Sequence, residues 1–305
     1  MMKKKIHKII TKISTIQEMF FWTVNQFNSA HIYYGHGTDN SWDEALQLIL
    51  PSLFLPLNFP INKYNLILTF RERIILVNLV LRRIKKRIPV PYLTHKSWFC
   101  GLEFYVDKRV LIPRSPISEL INNRFKNILS FSPTRILDMC TGNGCIAIAC
   151  AYTYLKTHID AVDISPSVLK VTKKNIQLHK VKNRVNVICS DLFCNVPPIH
   201  YDLIITNPPY VNKNDINSMP KEFHAEPKLG LIAGNDGLKF VKRILACAFK
   251  YLSEEGILIC EVGNSMKQLI KKYPQIPFKW LKLNHGGIGI FMLTWKQLIR
   301  YKNFF

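Results

Sequence analysis

Two kinds of hydrophobic spacing divide the chain. Over about the first hundred residues, apolar positions recur every three or four residues, the period of a helix with one buried face. Ile16, Met19, Phe20, Thr23 and Phe27 share such a face, and Thr15 with Glu18 stands ahead of it at capping-box spacing. Ser41 and Glu44 repeat the device before Ala45, Leu48 and Ile49, and Thr69 and Glu72 repeat it before Ile75, Leu79 and Arg82. In each box the hydroxyl caps one orphan amide of the first turn and the carboxylate caps another. Three helices are expected, the last stopping before Pro89, since proline disfavours helical backbone in the residue ahead of it. Between the first two lies Tyr33-Tyr34-Gly35-His36-Gly37-Thr38, a loop by its glycines, with His36 expected to be exposed.

From Phe99 the period changes. Phe99 to Leu111 alternates as a short hairpin would. Apolar runs of strand length then alternate with helical stretches: Arg135–Met139, a helix from about Asn143, His158–Val162, a helix from about Pro166, Val185–Cys189, Tyr201–Thr206, a helix from about Gly237, and Gly256–Glu261. Strand–helix alternation implies a parallel sheet covered on both faces. The end breaks the rule. Phe278–Leu283 and Ile288–Thr294, joined by Asn284-His285-Gly286-Gly287, should pair as an antiparallel hairpin at one sheet edge. The expected organisation is a helical domain over 1–92, a hairpin linker over 93–114, and an α/β domain over 115–305.

Composition refines this picture. Of 305 residues 48% are hydrophobic, enough for a sizeable core. The eight cysteines contain no Cys-x-x-Cys. Cys140, Cys145, Cys150, Cys189, Cys247 and Cys260 lie in or beside apolar runs and read as small core residues of a reducing cytosol, with no metal site expected. The basic start, Met1 to Lys12, is followed by Gln17 and Glu18, so a secretory leader is not expected. No apolar run approaches the roughly 20 residues of a membrane span. A soluble cytoplasmic protein is expected. The net charge is +22. It reads first as composition, because Lys, Ile and Asn crowd every segment. What it would suit is an anionic neighbour such as RNA or an RNA-bound protein.

The candidate chemistry sits at strand ends. Asp138-Met139-Cys140-Thr141-Gly142-Asn143-Gly144 follows one strand and opens a helix. Its glycines allow close backbone approach to a ligand. Asp163 ends the next strand, 21 residues past Gly142, where doubly wound folds place the carboxylate for ribose hydroxyls. Ser190-Asp191-Leu192 ends the third strand; a carboxylate there can hold an adenine amino group while Leu192 covers the ring. A carboxylate at Asp138 would repel a pyrophosphate and suits a cation. The loop therefore favours S-adenosylmethionine (SAM) over a dinucleotide. Asp138, Cys140, Thr141, Gly142, Asn143, Gly144, Asp163, Asp191, Leu192 and Asn207 are the expected cofactor contacts.

Thr206-Asn207-Pro208-Pro209-Tyr210 ends the fourth strand, and ligands of open α/β sheets bind outside such ends. Two prolines remove two backbone donors and leave an acceptor-rich rim. The Asn207 side-chain oxygen and the Pro208 carbonyl can both accept from one NH2 group, and Tyr210 offers a ring face to a planar group. Asn207, Pro208 and Tyr210 are the expected catalytic residues, and Pro209 joins them as a substrate contact. Glu222, His224 and Glu226 follow and are expected on a surface loop.

From about Arg87 to Thr294 these residues resemble the HemK/Prm family of protein glutamine N5-methyltransferases. The matching stretches are Val110-Leu111-Ile112-Pro113-Arg114, Asp138 to Gly144, Asp163, Ser190-Asp191, Asn207 to Tyr210, Glu226-Pro227 and Asn235-Asp236-Gly237-Leu238. Cys140 stands where the general methyltransferase loop has glycine. The resemblance implies a Rossmann-like class I SAM methyltransferase fold with an antiparallel edge hairpin, preceded by a small helical domain that recognises the substrate. It also implies a substrate contact at Arg114. The release-factor branch carries Pro-Arg-Pro-Glu after the linker; this chain has Pro113-Arg114-Ser115-Pro116, and with Tyr34-Gly35-His36-Gly37-Thr38-Asp39-Asn40 it is similar to the PrmB branch. That likeness implies a glutamine of the third protein of the large ribosomal subunit as substrate; the basic charge would suit ribosomal RNA nearby.

The residues alone reach only a planar NH2. A release-factor glutamine methyltransferase, or an amino methyltransferase of adenine or guanine in nucleic acid, would use the same grip. No nucleic-acid-binding module stands beside the sheet to extract a base. A non-catalytic ribosome-assembly factor would have no use for Asp163 and Asn207.

Overall fold

The structure, a computed structural model, describes residue 7, residues 9–284 and residues 286–305. The expected turn at His285 and most of the basic start therefore lie outside the described residues. The chain packs as two compact units. One runs up to Ser97 and takes in Val106–Lys108 and Pro220–Ala225; the other holds Trp98–Tyr105, Arg109–Met219 and Glu226–Phe305.

The first unit is helical: α1 (Ile16–Ser29), α2 (Ser41–Ser52), α3 (Phe70–Lys86) and the short α4 (Val90–Thr94). Both expected boxes at Thr15/Glu18 and Thr69/Glu72 are formed, and Arg87 ends α3 in a left-handed cap before Pro89. The middle box is not. Asn40 caps α2 by accepting from the Asp43 amide at 2.8 Å, one residue earlier than expected. Glu44 is thereby released from capping and turns inward. There it accepts from Arg83 Nε at 2.7 Å, and Thr38 donates to it as well.

Arg83 is 1% exposed. It also donates to the Tyr33 carbonyl at 2.8 Å and to Glu222 at 3.2 Å. Glu222 was expected at a surface; it is buried because this arginine demands a second carboxylate. His36 is likewise buried rather than exposed, its ring 4.6 Å from that of Phe223. Its loop is drawn in by the same polar cluster: Tyr33, three residues before His36, meets Arg83 through its carbonyl and Glu222 through its amide.

β1 (Lys96–Phe99), of which Trp98 and Phe99 belong to the second unit, and β2 (Leu102–Tyr105) form a two-stranded ribbon, and α5 (Ile117–Asn122) of the second unit follows. The rest alternates: β3 (Arg135–Met139), α6 (Cys145–Thr153), β4 (His158–Asp163), α7 (Pro166–Leu178), β5 (Val185–Cys189), β6 (Tyr201–Thr206), α8 (Lys239–Ala248), β7 (Leu252–Glu261), α9 (Met266–Lys272), β8 (Lys279–Trp280), β9 (Ile290–Thr294) and α10 (Trp295–Tyr301). The seven-stranded sheet has the order β5-β4-β3-β6-β7-β9-β8. β5, β4, β3, β6 and β7 pair in parallel, whereas β9 pairs antiparallel with both β7 and β8. This is the mixed α/β architecture the alternation predicts, with the hairpin at the edge.

Side chains split by strand period into two cores. Ile136, Ile159, Leu203, Ile205 and Ile259 pack on one face with α6. Leu137, Met139, Val162, Ile204 and Leu258 pack on the other with α8. Cys145 to Ala151 of α6 are all buried, which is why that helix reads as an apolar run without a polar face. Cys189 was expected in the core and is exposed, since β5 is an edge strand. The helix α10 was not expected; a Thr294/Gln297 box opens it. None of the described helices is long and apolar enough to cross a membrane.

Candidate functional site

The order of strands reverses at β3, which has β4 on one side and β6 on the other. Loops leaving such a pair run in opposite directions and open a crevice at their carboxyl ends. Register fixes the level of each loop. Met139 pairs with Val162 and with Thr206, and Thr206 pairs with Cys260. The next residues, Cys140, Asp163, Asn207 and Glu261, therefore stand in one row along the sheet edge.

The loop after β3 bends through three left-handed residues: Cys140 at φ 63°, Gly142 at 58° and Gly144 at 86°. Only Cys140 carries a side chain there, an arrangement that costs on the order of 1–3 kcal/mol. A β-carbon on Gly144 would come 2.8 Å from Thr172 Cγ2, whereas one on Gly142 would meet nothing within 4 Å. The backbone at Gly142 thus faces open space. From α7, Thr172 donates to the Gly142 carbonyl at 2.7 Å and Asn175 to the Asn143 carbonyl at 2.9 Å. The second crossover helix therefore holds the loop in place.

Asp138 is fully buried beneath this loop. Its Oδ2 accepts from Thr141 Oγ1 at 2.5 Å and from the Ala147 amide at 3.0 Å. Its Oδ1 and the buried Nδ2 of Asn143 have no hydrogen-bond partner among the described residues. Burial pushes the Asp138 carboxyl up to about 7, against the pull of its two donors. Asp163 accepts from the Gly142 amide at 3.1 Å and the Ser165 amide at 3.0 Å, and burial raises its pKa too. A buried acceptor, a buried donor, a strand-end carboxylate and open space over a glycine suit a ligand that carries both a cation and hydroxyls.

Both oxygens of Asp191 accept from Arg243, each at 2.9 Å, in a pair that is half open to solvent. Leu192 is buried beside it. Beyond β6, Pro208 is buried and Asn207 is partly exposed; no other described residue hydrogen-bonds the Asn207 amide. Its acceptor is thus available to a ligand. Tyr210 donates through its hydroxyl to Glu261 at 3.0 Å. Arg114 grips Glu226 with two bonds of 2.7 and 2.8 Å, and Glu226 accepts from the Ile112 amide at 3.0 Å. The expected substrate contact Arg114 is therefore committed to a carboxylate of its own unit. Glu226 is buried rather than on a surface loop, because this guanidinium and amide both need it; His224 is exposed as expected.

Three residues of the site escaped sequence reasoning: Glu261, Ser115 and Asn175. Glu261 had a signal, an acid closing an apolar parallel strand. The other two are uncharged and function through partners distant in sequence.

The family model described as methyltransferase small domain matches residues 117–228. A ribosomal protein uL3 glutamine methyltransferase of Francisella tularensis subsp. tularensis is 43% identical over 305 aligned residues, covering 99% of this chain and 97% of that one. A protein of the same name from Xanthomonas campestris pv. campestris is 42% identical, over 95% of this chain and 94% of its own. Among solved structures, the hMettl16 catalytic domain in complex with MAT2A 3'UTR hairpin 6 matches 73% of this chain and 81% of its own, with a TM-score of 0.51 at 16% identity, a likeness of fold. Similarity at this level across nearly the whole of both chains means that this protein belongs to the family of ribosomal protein uL3 glutamine methyltransferases.

Proposed function

We propose that this chain transfers the methyl group of SAM to the side-chain amide nitrogen of a glutamine in ribosomal protein uL3. The observation that carries the chemistry is the row of strand ends, which sets Asn207 beside the loop of Asp138 to Gly144. The full-length likeness to uL3 glutamine methyltransferases carries the choice of substrate. On this reading Asp138 and Asn143 face the cationic methionine part of the cofactor, Asp163 takes the ribose hydroxyls, and Asp191 with Leu192 receives the adenine. When bound, SAM supplies an electrophilic methyl on a sulfonium.

An amide nitrogen is a poor nucleophile because its lone pair is delocalised. Asn207 Oδ1 and the Pro208 carbonyl accept its two hydrogens, hold it in place and push electron density back onto it. Positioning of this kind contributes at most roughly 7–11 kcal/mol. The alkylated nitrogen sheds its proton to water, so no strong base is needed. Recognition of the protein substrate falls to the helical first unit. The positive charge keeps the enzyme near ribosomal RNA, in the cytoplasm where the substrate is assembled.

The test is mass spectrometry of ribosomal proteins from cells with and without the enzyme, paired with methyl transfer to purified uL3. A single methyl lost from a uL3 glutamine is expected. A methyl lost from a release factor or from RNA instead would overturn the reading.

A further inference from the structure

Glu261 ends β7 at the level of Asn207, one position past the Thr206–Cys260 pair. It is 4% exposed, and desolvation raises its pKa, with Arg114 favouring the ionised form from farther off. A buried carboxyl is a costly choice where a leucine would pack. Both of its oxygens are used. Tyr210 Oη donates to Oε1 at 3.0 Å, and Ser115 Oγ donates to Oε2 at 2.5 Å. Ser115 is itself buried and accepts from the Ile117 amide at 3.2 Å.

Two other contacts bear on the same tyrosine. Ser265 Oγ donates to the Tyr210 carbonyl at 2.7 Å. A β-carbon on Gly263 would lie 2.6 Å from Tyr210 Cε2, so glycine is what lets the ring lie against that backbone. Tyr210 is thus held at its hydroxyl, at its ring and at its backbone carbonyl. A segment that needed only a rigid Pro-Pro turn would not require any of the three.

We propose that Glu261 is a positioning residue for the reaction: it clamps the Tyr210 hydroxyl, with Ser115 fixing its other oxygen, so that the ring forms a stationary wall for the target amide. The inference rests on the reading of Asn207 to Tyr210 as the nitrogen grip. A wall that rocks loosens the near-attack pose, and misplacement by about 1 Å costs on the order of a hundredfold in rate. Ring and clamp act in series, so removing either should have the effect of removing both.

The test uses the full-length protein with Glu261→Gln, Tyr210→Phe and the double variant. A glutamine keeps the size of the side chain but accepts through one atom only, so one of the two hydroxyls loses its acceptor. Glu261→Gln should lower kcat about ten- to a hundredfold, with KM for uL3 changed less than about threefold. SAM affinity by calorimetry should stay within about twofold. Tyr210→Phe should lose a similar factor, and the double variant no more than the worse single one. Losses that multiply, or a fall in SAM affinity matching the fall in kcat, would overturn the proposal.

A second readout needs no substrate. In protein with ring-labelled tyrosine, the Tyr210 resonances, assigned by their absence in Tyr210→Phe, should show slow ring flips in the wild type and fast flips in Glu261→Gln. Identical ring dynamics in the two would also overturn the clamp. If wild-type enzyme fails to methylate uL3, the functional reading falls, and the ring measurement still decides the clamp.

Discussion

Met139 and Thr206 are register partners at the carboxyl ends of neighbouring parallel strands, and the Thr206 hydroxyl donates to the Met139 carbonyl at 2.9 Å. This bond ties the residue that launches the glycine loop to the residue that launches Asn207-Pro208-Pro209-Tyr210. It converts a sheet register into a fixed spacing between these two segments.

Thr206 is fully buried. Thr206→Val keeps its shape and removes the bond, so stability should fall by about 1–2 kcal/mol in urea titration. Turnover should fall at least about tenfold as the two loops lose their common reference. Lower stability with unchanged turnover would show that the bond only braces the sheet.

On the proposed reading, Asp138 should make SAM binding depend on pH. Its carboxyl, pushed up to about 7 by burial, is protonated in the unliganded protein below that pH. A cation beside it favours the ionised form, so binding releases a proton. Affinity should therefore rise as pH rises towards about 7 and level off above it. Stability without ligand runs the other way. The folded carboxyl binds its proton more tightly than the unfolded one, so its contribution is full below the unfolded value of 3.8 and is lost as pH rises to about 7. Calorimetry across this range checks the first claim. Asp138→Asn should flatten the slope, and a slope that persists in that variant would locate the titrating group elsewhere.

Arg83 is predicted to hold the helical unit together. Arg83→Met leaves Glu44 buried with no cation and Glu222 with Arg87 alone, at 3.4 Å. Stripping one partner from such a cluster costs about 3–5 kcal/mol. Burial pushes the Glu222 pKa up, but the Tyr33 amide and Arg83 outweigh it and the net shift is downward. Its stabilisation is therefore present at neutral pH and lost as pH falls through that depressed value. Without the arginine that depression shrinks, so the variant should lose less than wild type on acidification. Unfolding curves near neutral pH and at a pH below the ordinary carboxyl value of 4.5 separate these outcomes.

What the sequence discloses follows the range of the interaction involved. β3, β5 and β6 are legible to the residue, because each is a short, mostly apolar run between turns; β5 reads so although it is the partly exposed edge strand. The row of Asp163 and Asn207 follows from strand order alone. Glu222 and Glu226 are not legible: amid Lys221, His224 and Lys228 they look like a solvated loop. Their burial depends on Arg83 and Arg114, more than a hundred positions earlier. Ser41 misleads for a local reason, since Asn40 beside it is an equally good cap and wins. α10 is missed because Thr294 serves twice, as the end of β9 and as the cap of the helix.

On the proposed reading, the chemistry itself rests on Asn207. Its partly exposed amide has no other described residue as a hydrogen-bond partner, whereas Asp163, Asp191 and Tyr210 around it are all engaged. An amide left so at the end of a buried strand is available to a substrate. Asn207→Ala removes one of two acceptors for the target nitrogen, which costs about 1–3 kcal/mol. Misplacement adds to that, so methyl transfer should fall at least about a hundredfold, equivalent to roughly 2.7 kcal/mol. Asn207→Asp is the sharper variant. It keeps an acceptor oxygen and adds a negative charge near the sulfonium. SAM should bind as well or more tightly, because the added charge stabilises the full positive charge of the ground state. In the transition state that charge is dispersing, so the same interaction is weaker there and turnover should drop. The pair of measurements, SAM affinity by calorimetry and single-turnover methylation of uL3, separates grip from charge. Wild-type rates in both variants would reduce Asn207-Pro208-Pro209-Tyr210 to a stiff turn.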